Sequence, residues 1–328
     1  MRGSSNVMKV VAIGGGTGLS SLLRGLKRFD DLSICAVVTI TDEGGSSGIL
    51  REEMGIPPPG DLRNNIIALA EDESILSKLL SFRFEKNSSL KGHNLGNLIL
   101  VALTKIIGNF PEAVKELSKI LAIRGEVLPV TDRLVRLVAK MEDGSTLVGE
   151  TNIARSKSRI VELSLSKDVD ALPEVLNAIE KADGIVLGPG SLYTSVISNL
   201  LVRGVPEAIR SNEDAVKIYV SNIMTQPGET TGYTLSDHVR EITKYLGAKV
   251  DYVIANTQSV PRDILERYAE QDAEQVKLDI ENVDVPVFAE PLIQMVIDDR
   301  DNLEKPRHDP LRLGSMIRRL LEWGKSKV

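Results

Sequence analysis

The sequence predicts an α/β protein: a parallel sheet with helices around it and an antiparallel β insertion. Three observations carry that expectation. Short apolar runs alternate with stretches of helical periodicity, the pattern of successive βα units. Glycine-rich segments follow several of the apolar runs, where an open parallel sheet needs loops. Between about residues 130 and 167 the pattern changes to alternating strands around an Asp-Gly turn, a hairpin signal.

Taken in order, Lys9–Ile13 reads as a buried strand, and Leu19, Leu22, Leu23 and Leu26 then recur at helical spacing. Cys35–Thr41 is the second strand. Two helices follow in tandem, one from Asp61 and one carrying Leu95, Leu98, Ile99, Ala102, Leu103 and Ile106. Arg133–Lys140 and Thr146–Asn152 flank Asp143–Gly144, and Arg159–Leu165 alternates apolar and polar residues. Gly184–Leu187, Val216–Val220 and Val250–Ala255 are further strands, each leading through a loop into a periodic helix. Val285–Ala289 is a candidate last strand, and Leu313, Ile317, Leu320 and Leu321 mark a closing amphipathic helix. No linker rich in Gly, Ser or Pro divides the chain. Residues 8–324 are therefore expected to form one domain, with 130–167 as an insertion in it.

The 328 residues are 42% hydrophobic and 26% charged, which excludes a disordered or fibrous chain. Forty basic against 46 acidic residues leave a net charge of −6, no basis for a nucleic-acid surface. No apolar stretch approaches the ~18 residues of a membrane span, so no membrane insertion is expected. One cysteine, Cys35, excludes an intramolecular disulfide and suits a reducing compartment, so the cytoplasm is the expected location. His93, His238 and His308 lie too far apart for a compact zinc pattern. The opening MRGSSNV resembles an expression-tag remnant, and residues 1–7 are expected to stay outside the fold.

Ligands of open parallel sheets bind beyond the carboxyl ends of the strands. The loops there are unusually rich. Gly14, Gly15, Gly16, Thr17 and Gly18 follow the first strand and open a helix, an arrangement suited to a phosphate. The run fits neither G-x-G-x-x-G, since Leu19 takes the third glycine's place, nor a Walker A loop; a tight turn without ligand is the alternative. After the second strand, Asp42 stands where a dinucleotide site places its ribose-binding acid, and Gly44, Gly45, Ser46 and Ser47 suit an anion nest. A solvated, flexible hairpin is the plainer reading there.

Asp61 ends a Pro-Pro-Pro-Gly approach at a candidate N-cap. Its functional reading is a second carboxylate opposite Asp42, and Mg²⁺ is the candidate metal for the pair, completed by phosphate and water. Asn64 and Asn65, on the following turn, are candidate donors to the same ligand. Asn94 and Asn97 sit three apart at a helix start, so capping accounts for one of them more readily than for both. His93 is a candidate base or a structural loop histidine. Gly190, Ser191 and Thr194 belong to a second strand–glycine–helix junction, Gln226 to the loop after Val216–Val220, and Arg307 is a candidate cation for a phosphate. An exposed charged loop is the alternative for the Arg307 segment, as is a solvated strand face for Arg155, Lys157 and Arg159.

GGGTG, TDEGGSSG, PPGDLRN, HNLGNL, GPGSLYTS and SNIMTQPGET followed by SDHV, in this order from about Val10 to the last helix, together resemble the gluconeogenesis factor family, a CofD-like group related to the 2-phospho-L-lactate transferases. The resemblance implies a Rossmann-like three-layer α/β fold and a cytoplasmic bacterial protein needed for gluconeogenic growth and cell shape. It also implies binding of a UDP-sugar such as UDP-N-acetylglucosamine or UDP-glucose. A homodimer is the candidate assembly. In the transferases the acid-bearing second loop and the PGD aspartate are linked to metal and nucleotide diphosphate, and Asp42 and Asp61 match those positions. The second loop here reads TDEGGSSG where transferases carry a TGDD-like turn, and aromatics are scarce at 4%; both weigh against a deazaflavin-type transfer. Two alternatives stand beside the UDP-sugar reading: an Mg²⁺-dependent phosphotransferase, and an NAD-binding protein drawing on Asp42.

Overall fold

A computed structural model describes residues 7–71, 75–84, 89–298 and 301–325. The expectation for residues 1–7 therefore falls, apart from Val7, outside the described residues.

Twelve strands are present among the described residues. Seven form one parallel sheet: β1 Met8–Gly14, β2 Leu32–Val38, β3 Glu126–Pro129, β7 Gly184–Leu187, β8 Val216–Val220, β9 Tyr252–Asn256 and β10 Val287–Glu290. Their spatial order, β10-β9-β8-β7-β1-β2-β3, reverses direction at β1. This is the doubly wound, Rossmann-like topology, and its ligand crevice belongs beyond the carboxyl ends of β1 and β7. The central strands are continuous apolar runs because both of their faces are covered: Val10, Val11, Ala12 and Ile13 in β1 and Ile185, Val186 and Leu187 in β7 are all buried.

One helix group packs together from α1 Gly16–Leu26, the helix Gly60–Leu69 and the closing helix Pro310–Lys325. Another contains Pro173–Glu180, Val205–Ser211 and Leu235–Leu246. Leu19, Leu22, Leu23 and Leu26 turn the buried stripe of α1 toward the core, as their spacing predicts.

The remaining strands form two small antiparallel sheets. β4 Leu137–Met141, β5 Thr146–Val148 and β6 Ile160–Leu165 make the insertion, ordered β5-β4-β6. β11 Ile293–Asp298 and β12 Leu303–His308 form a hairpin that the sequence reading does not anticipate.

Several boundaries differ from expectation. β2 lies earlier than Cys35–Thr41: its ladder with β1 runs from Met8↔Leu32 to Gly14↔Val38 and ends where β1 gives way to its glycine loop. The expected strand Thr146–Asn152 stops at Val148, because Gly149 turns the chain at φ +93° and Glu150–Arg155 is helical. Arg155 thus closes a helix rather than lying on a strand. β4 begins at Leu137, not Arg133, and β10 at Val287 rather than Val285. Arg307 sits in β12, not in a loop. Among the described residues, no helix is long and apolar enough to cross a membrane.

Candidate functional site

The loops beyond β1, β2, β7 and β8 converge on one cavity of about 890 Å³. Its floor is the junction of the two central strands. Gly15 precedes α1 in extended conformation, and Gly16 takes φ +61°, which a side chain would resist. A Cβ on Gly18 would stand 2.6 Å from the Pro189 carbonyl oxygen, and one on Gly190 would stand 3.4 Å from that of Gly15. The two glycine loops touch through bare backbone. The early N–H groups of α1, which have no partner inside the helix, face this junction.

Asp42 and Asp61 flank the floor. Asp42 Oδ1 accepts from the Gly44 N–H at 2.8 Å at the start of the helix Gly45–Met54. Asp61 is not an N-cap; Pro59 holds that position, and Asp61 accepts instead from the Gly16 backbone N–H at the tip of α1. The neighbours are tight. A Cβ on Gly15 would lie 2.7 Å from Asp61 Oδ2, and one on Gly60 would lie 3.1 Å from Asp42 Oδ2. Burial, and then the Asp42 charge, lift the Asp61 carboxyl to about 7.

Glu150 joins this acidic wall from the insertion. Its Oε2 accepts from the Glu43 N–H at 3.0 Å, and burial together with Asp42 raises its carboxyl to about 9, so it holds its proton at neutral pH. Arg51 and Arg136 reach Glu43 Oε1 at 3.7 and 3.2 Å and tie the second loop to the insertion. The far wall comes from Arg267 and the β11–β12 hairpin, where Asp298 holds Lys305 at 3.0 Å and Arg307 at 3.4 Å.

Most residues expected from the sequence lie on this cavity: Gly15, Gly16, Thr17, Gly18, Asp42, Gly44, Gly45, Ser46, Ser47, Asp61, Asn64, Asn97, Gly190, Ser191, Gln226 and Arg307. Gln226 Nε2 donates to Ser191 Oγ at 2.7 Å and joins the loops after β8 and β7.

Four expected residues do not line it. Gly14 is the last residue of β1, one position short of the crevice. Asn65 is fully buried, donating to the Asp61 carbonyl and accepting from Ser20 Oγ. Asn94 is the N-cap of the helix Leu95–Ile107, its side chain accepting from the Asn97 N–H at 3.1 Å. Thr194 turns away to Glu229, donating to Oε1 at 2.9 Å within the π-helical turn Leu192–Ile197. His93 rests against Ser46 Oγ at 3.2 Å and is likewise outside the lining. Capping thus accounts for Asn94 alone, and Asn94→Ala is expected to lower stability by about 1–2 kcal/mol, read as a shift in the denaturant midpoint.

Arg63, Arg83, Glu150, Ser195, Arg267, Lys305 and His308 also line the cavity, and the sequence reading does not assign them. Arg63 lies inside the PPGDLRN motif, which was the one local signal available. Among the described residues, no group of three or more His, Cys, Asp or Glu side chains is placed to hold a metal ion.

A protein of Thermotoga maritima, provisionally named a gluconeogenesis factor, is 55% identical over 316 residues, covering 96% of this chain and all of the relative. The gluconeogenesis factor of Bacillus subtilis strain 168 is 43% identical over 316 residues, covering 96% and 98%. A crystal structure of a Bacillus halodurans protein superposes with a TM-score of 0.89 at 44% identity, covering 94% of this chain and 99% of that one. The family model described as 2-phospho-L-lactate transferase CofD matches residues 10–293, from the third residue of β1 to the first of β11. With sequence and fold in agreement over nearly its whole length, the chain belongs to the 2-phospho-L-lactate transferase CofD family.

Proposed function

We propose that this is a gluconeogenesis-factor-type cytoplasmic protein that binds a UDP-sugar, UDP-N-acetylglucosamine or UDP-glucose, in the cavity beyond β1 and β7. The observation that carries the reading is the meeting of the Gly15–Gly18 and Pro189–Ser191 backbones on one floor, which offers a diphosphate helix N–H groups and glycine backbone, with Asp61 the one carboxyl at the helix tip. Lys305 and Arg307 supply cations across the cavity, and Asn64, Asn97 and Gln226 supply amides for base and sugar. In this reading the protein acts as a sensor that supports gluconeogenic growth and cell shape, as its near relatives' names and the sequence resemblance suggest.

Thermal shift tests it. UDP-N-acetylglucosamine, UDP-glucose, GDP and NAD are each added with and without Mg²⁺. A ligand at 100 times its Kd adds about 2.7 kcal/mol of stability, and the UDP-sugars are expected to do so. A Mg²⁺-dependent response to GDP with none to UDP-sugars would favour the second reading, a phosphotransferase. That alternative draws on the facing Asp42 and Asp61. Both line the cavity, and the Asp42 charge that helps hold the Asp61 proton is one a cation between them would offset. Two protein oxygens with the rest from phosphate and water is how Mg²⁺ is ordinarily held. NAD is the control for the dinucleotide alternative.

A further inference from the structure

Two sets of cations line the cavity. Arg267, Lys305 and Arg307 all have partners: Arg267 donates to the Glu304 carbonyl, and the other two pair with Asp298. Arg63 differs. It is only 7% exposed, yet its Nε and Nη1 have no hydrogen-bond partner; Nη2 alone is used, on Asn64 Oδ1. A buried guanidinium with idle donors on two edges is costly to keep unless an acceptor comes to it.

Its surroundings are shaped for such an arrival. The Arg63 stem lies against Gly96, where a Cβ would fall 2.7 Å from Arg63 Cδ and 2.5 Å from the Leu80 carbonyl oxygen. The next residue, Asn97, also lines the cavity and is 3% exposed. Its Nδ2 donates to Ser46 Oγ, which leaves Oδ1 buried without a donor. Arg83, on the same cavity, stands close enough for its charge to act on Arg63, against the opposite pull of the Asp61 and Asp42 carboxylates. One group therefore lacks an oxyanion and its neighbour lacks a hydroxyl.

We propose that Arg63, Arg83 and Asn97 form a second anion subsite that takes a small phosphorylated polyol, separate from the glycine loops. The phosphate accepts a charge-assisted bond from an idle donor of Arg63, and a hydroxyl of the polyol donates to Asn97 Oδ1. Arg83 adds charge at the rim. The cavity, about 890 Å³, is near the upper end of the ~300–1,000 Å³ usual for one ligand. The subsite does not depend on the identity of the first ligand.

Titration calorimetry with glycerol 3-phosphate on the full chain, without any nucleotide, tests it. Inorganic phosphate and glycerol are the comparison probes. Wild type is expected to bind glycerol 3-phosphate at one site, more tightly than inorganic phosphate, and to ignore glycerol. Arg63→Gln is expected to weaken binding about 10- to 100-fold, and Arg63→Lys, which keeps the charge, to restore part of it. Asn97→Ala is expected to remove the preference over inorganic phosphate while leaving phosphate binding itself. If Arg63→Gln does not fold, exposed Arg83→Gln and Asn97→Ala decide. The proposal is overturned if wild type binds neither anion, or if glycerol 3-phosphate binding is untouched in folded Arg63→Gln, or untouched in both Arg83→Gln and Asn97→Ala. Because no nucleotide is present, these outcomes are separate from success or failure of the UDP-sugar reading.

Discussion

Gly25→Ala is expected to destabilise the protein by about 3 kcal/mol or more, although helix propensity alone predicts a gain of up to ~1 kcal/mol. Gly25 lies inside α1, and a Cβ there would fall 1.8 Å from the Pro310 carbonyl oxygen at the start of the closing helix. Gly314, one turn on, meets the backbone of Gly25 in return: its own Cβ would come within 2.8 Å of the Gly25 carbonyl carbon. Backbone cannot yield as a flexible side chain can, so the two helices must separate, and Leu313 and Ile317 beside the contact lose their packing. The consequence reaches the site. α1 begins at the glycine loop, and the closing helix follows directly from β12, which carries Lys305 and Arg307. Driving these helices apart shifts the far-wall cations away from the floor they face. Thermal unfolding and ligand titration of Gly25→Ala should therefore fall together; an unchanged or raised Tm would show that the helix contact is looser than described.

What is legible in the sequence divides along a physical line. β1, β7, β8 and β9 are buried along nearly all of their length, so they appear as apolar runs, broken only by Lys9 and Lys217, that need no partner to be recognised. Loops at strand ends are legible because glycine clusters have few other uses, and most of the cavity floor follows from them. Polar residues at helix starts are a different matter. Asn65 and Asn94 have the composition of ligand contacts but spend their amides on Asp61, Ser20, Asn97 and Ser81, a choice that depends on what packs against them. Arg63 shares a motif with Asp61 and Asn64, yet its isolation is a fact of depth, not of spacing. Glu150 hides in a segment that reads as strand until Gly149 turns it, and Lys305 and Arg307 depend on a hairpin with weak alternation. Local pattern finds the floor of the crevice; the walls are assembled by tertiary contacts between segments far apart in the chain.

Asp61→Asn carries the other large expectation, and its sign can be worked out. Asp61 occupies the tip of α1 by accepting from Gly16, so an incoming phosphate meets a carboxyl already on the floor. The folded protein holds that carboxyl near 7, above its ordinary value of 3.8, so the native state takes up the proton more readily than the unfolded chain. For this group stability is greatest below about pH 4, falls as pH rises through 7, and then levels. Asparagine does not titrate and still accepts from Gly16, so the variant should be flatter in Tm between pH 4 and 8. At pH 8 it should be the more stable protein, by on the order of 2 kcal/mol, since water in the cavity screens part of the 1.4 kcal/mol per unit that the shift represents. Glu150, raised to about 9, leaves a residual slope in both proteins at higher pH. Anion binding follows the same proton. Without metal, wild type should bind UDP-N-acetylglucosamine more tightly at pH 6, where Asp61 is largely neutral, than at pH 8, where it repels the diphosphate. Mg²⁺ should restore binding at pH 8 by standing between Asp42, Asp61 and the phosphates, and should matter little at pH 6. Asp61→Asn removes both dependences at once, because the repulsion and half of the protein's share of the metal site are gone. A variant that keeps the full Mg²⁺ effect at pH 8 would place the metal elsewhere, and a Tm profile parallel to wild type would mean that Asp61 is ionised throughout.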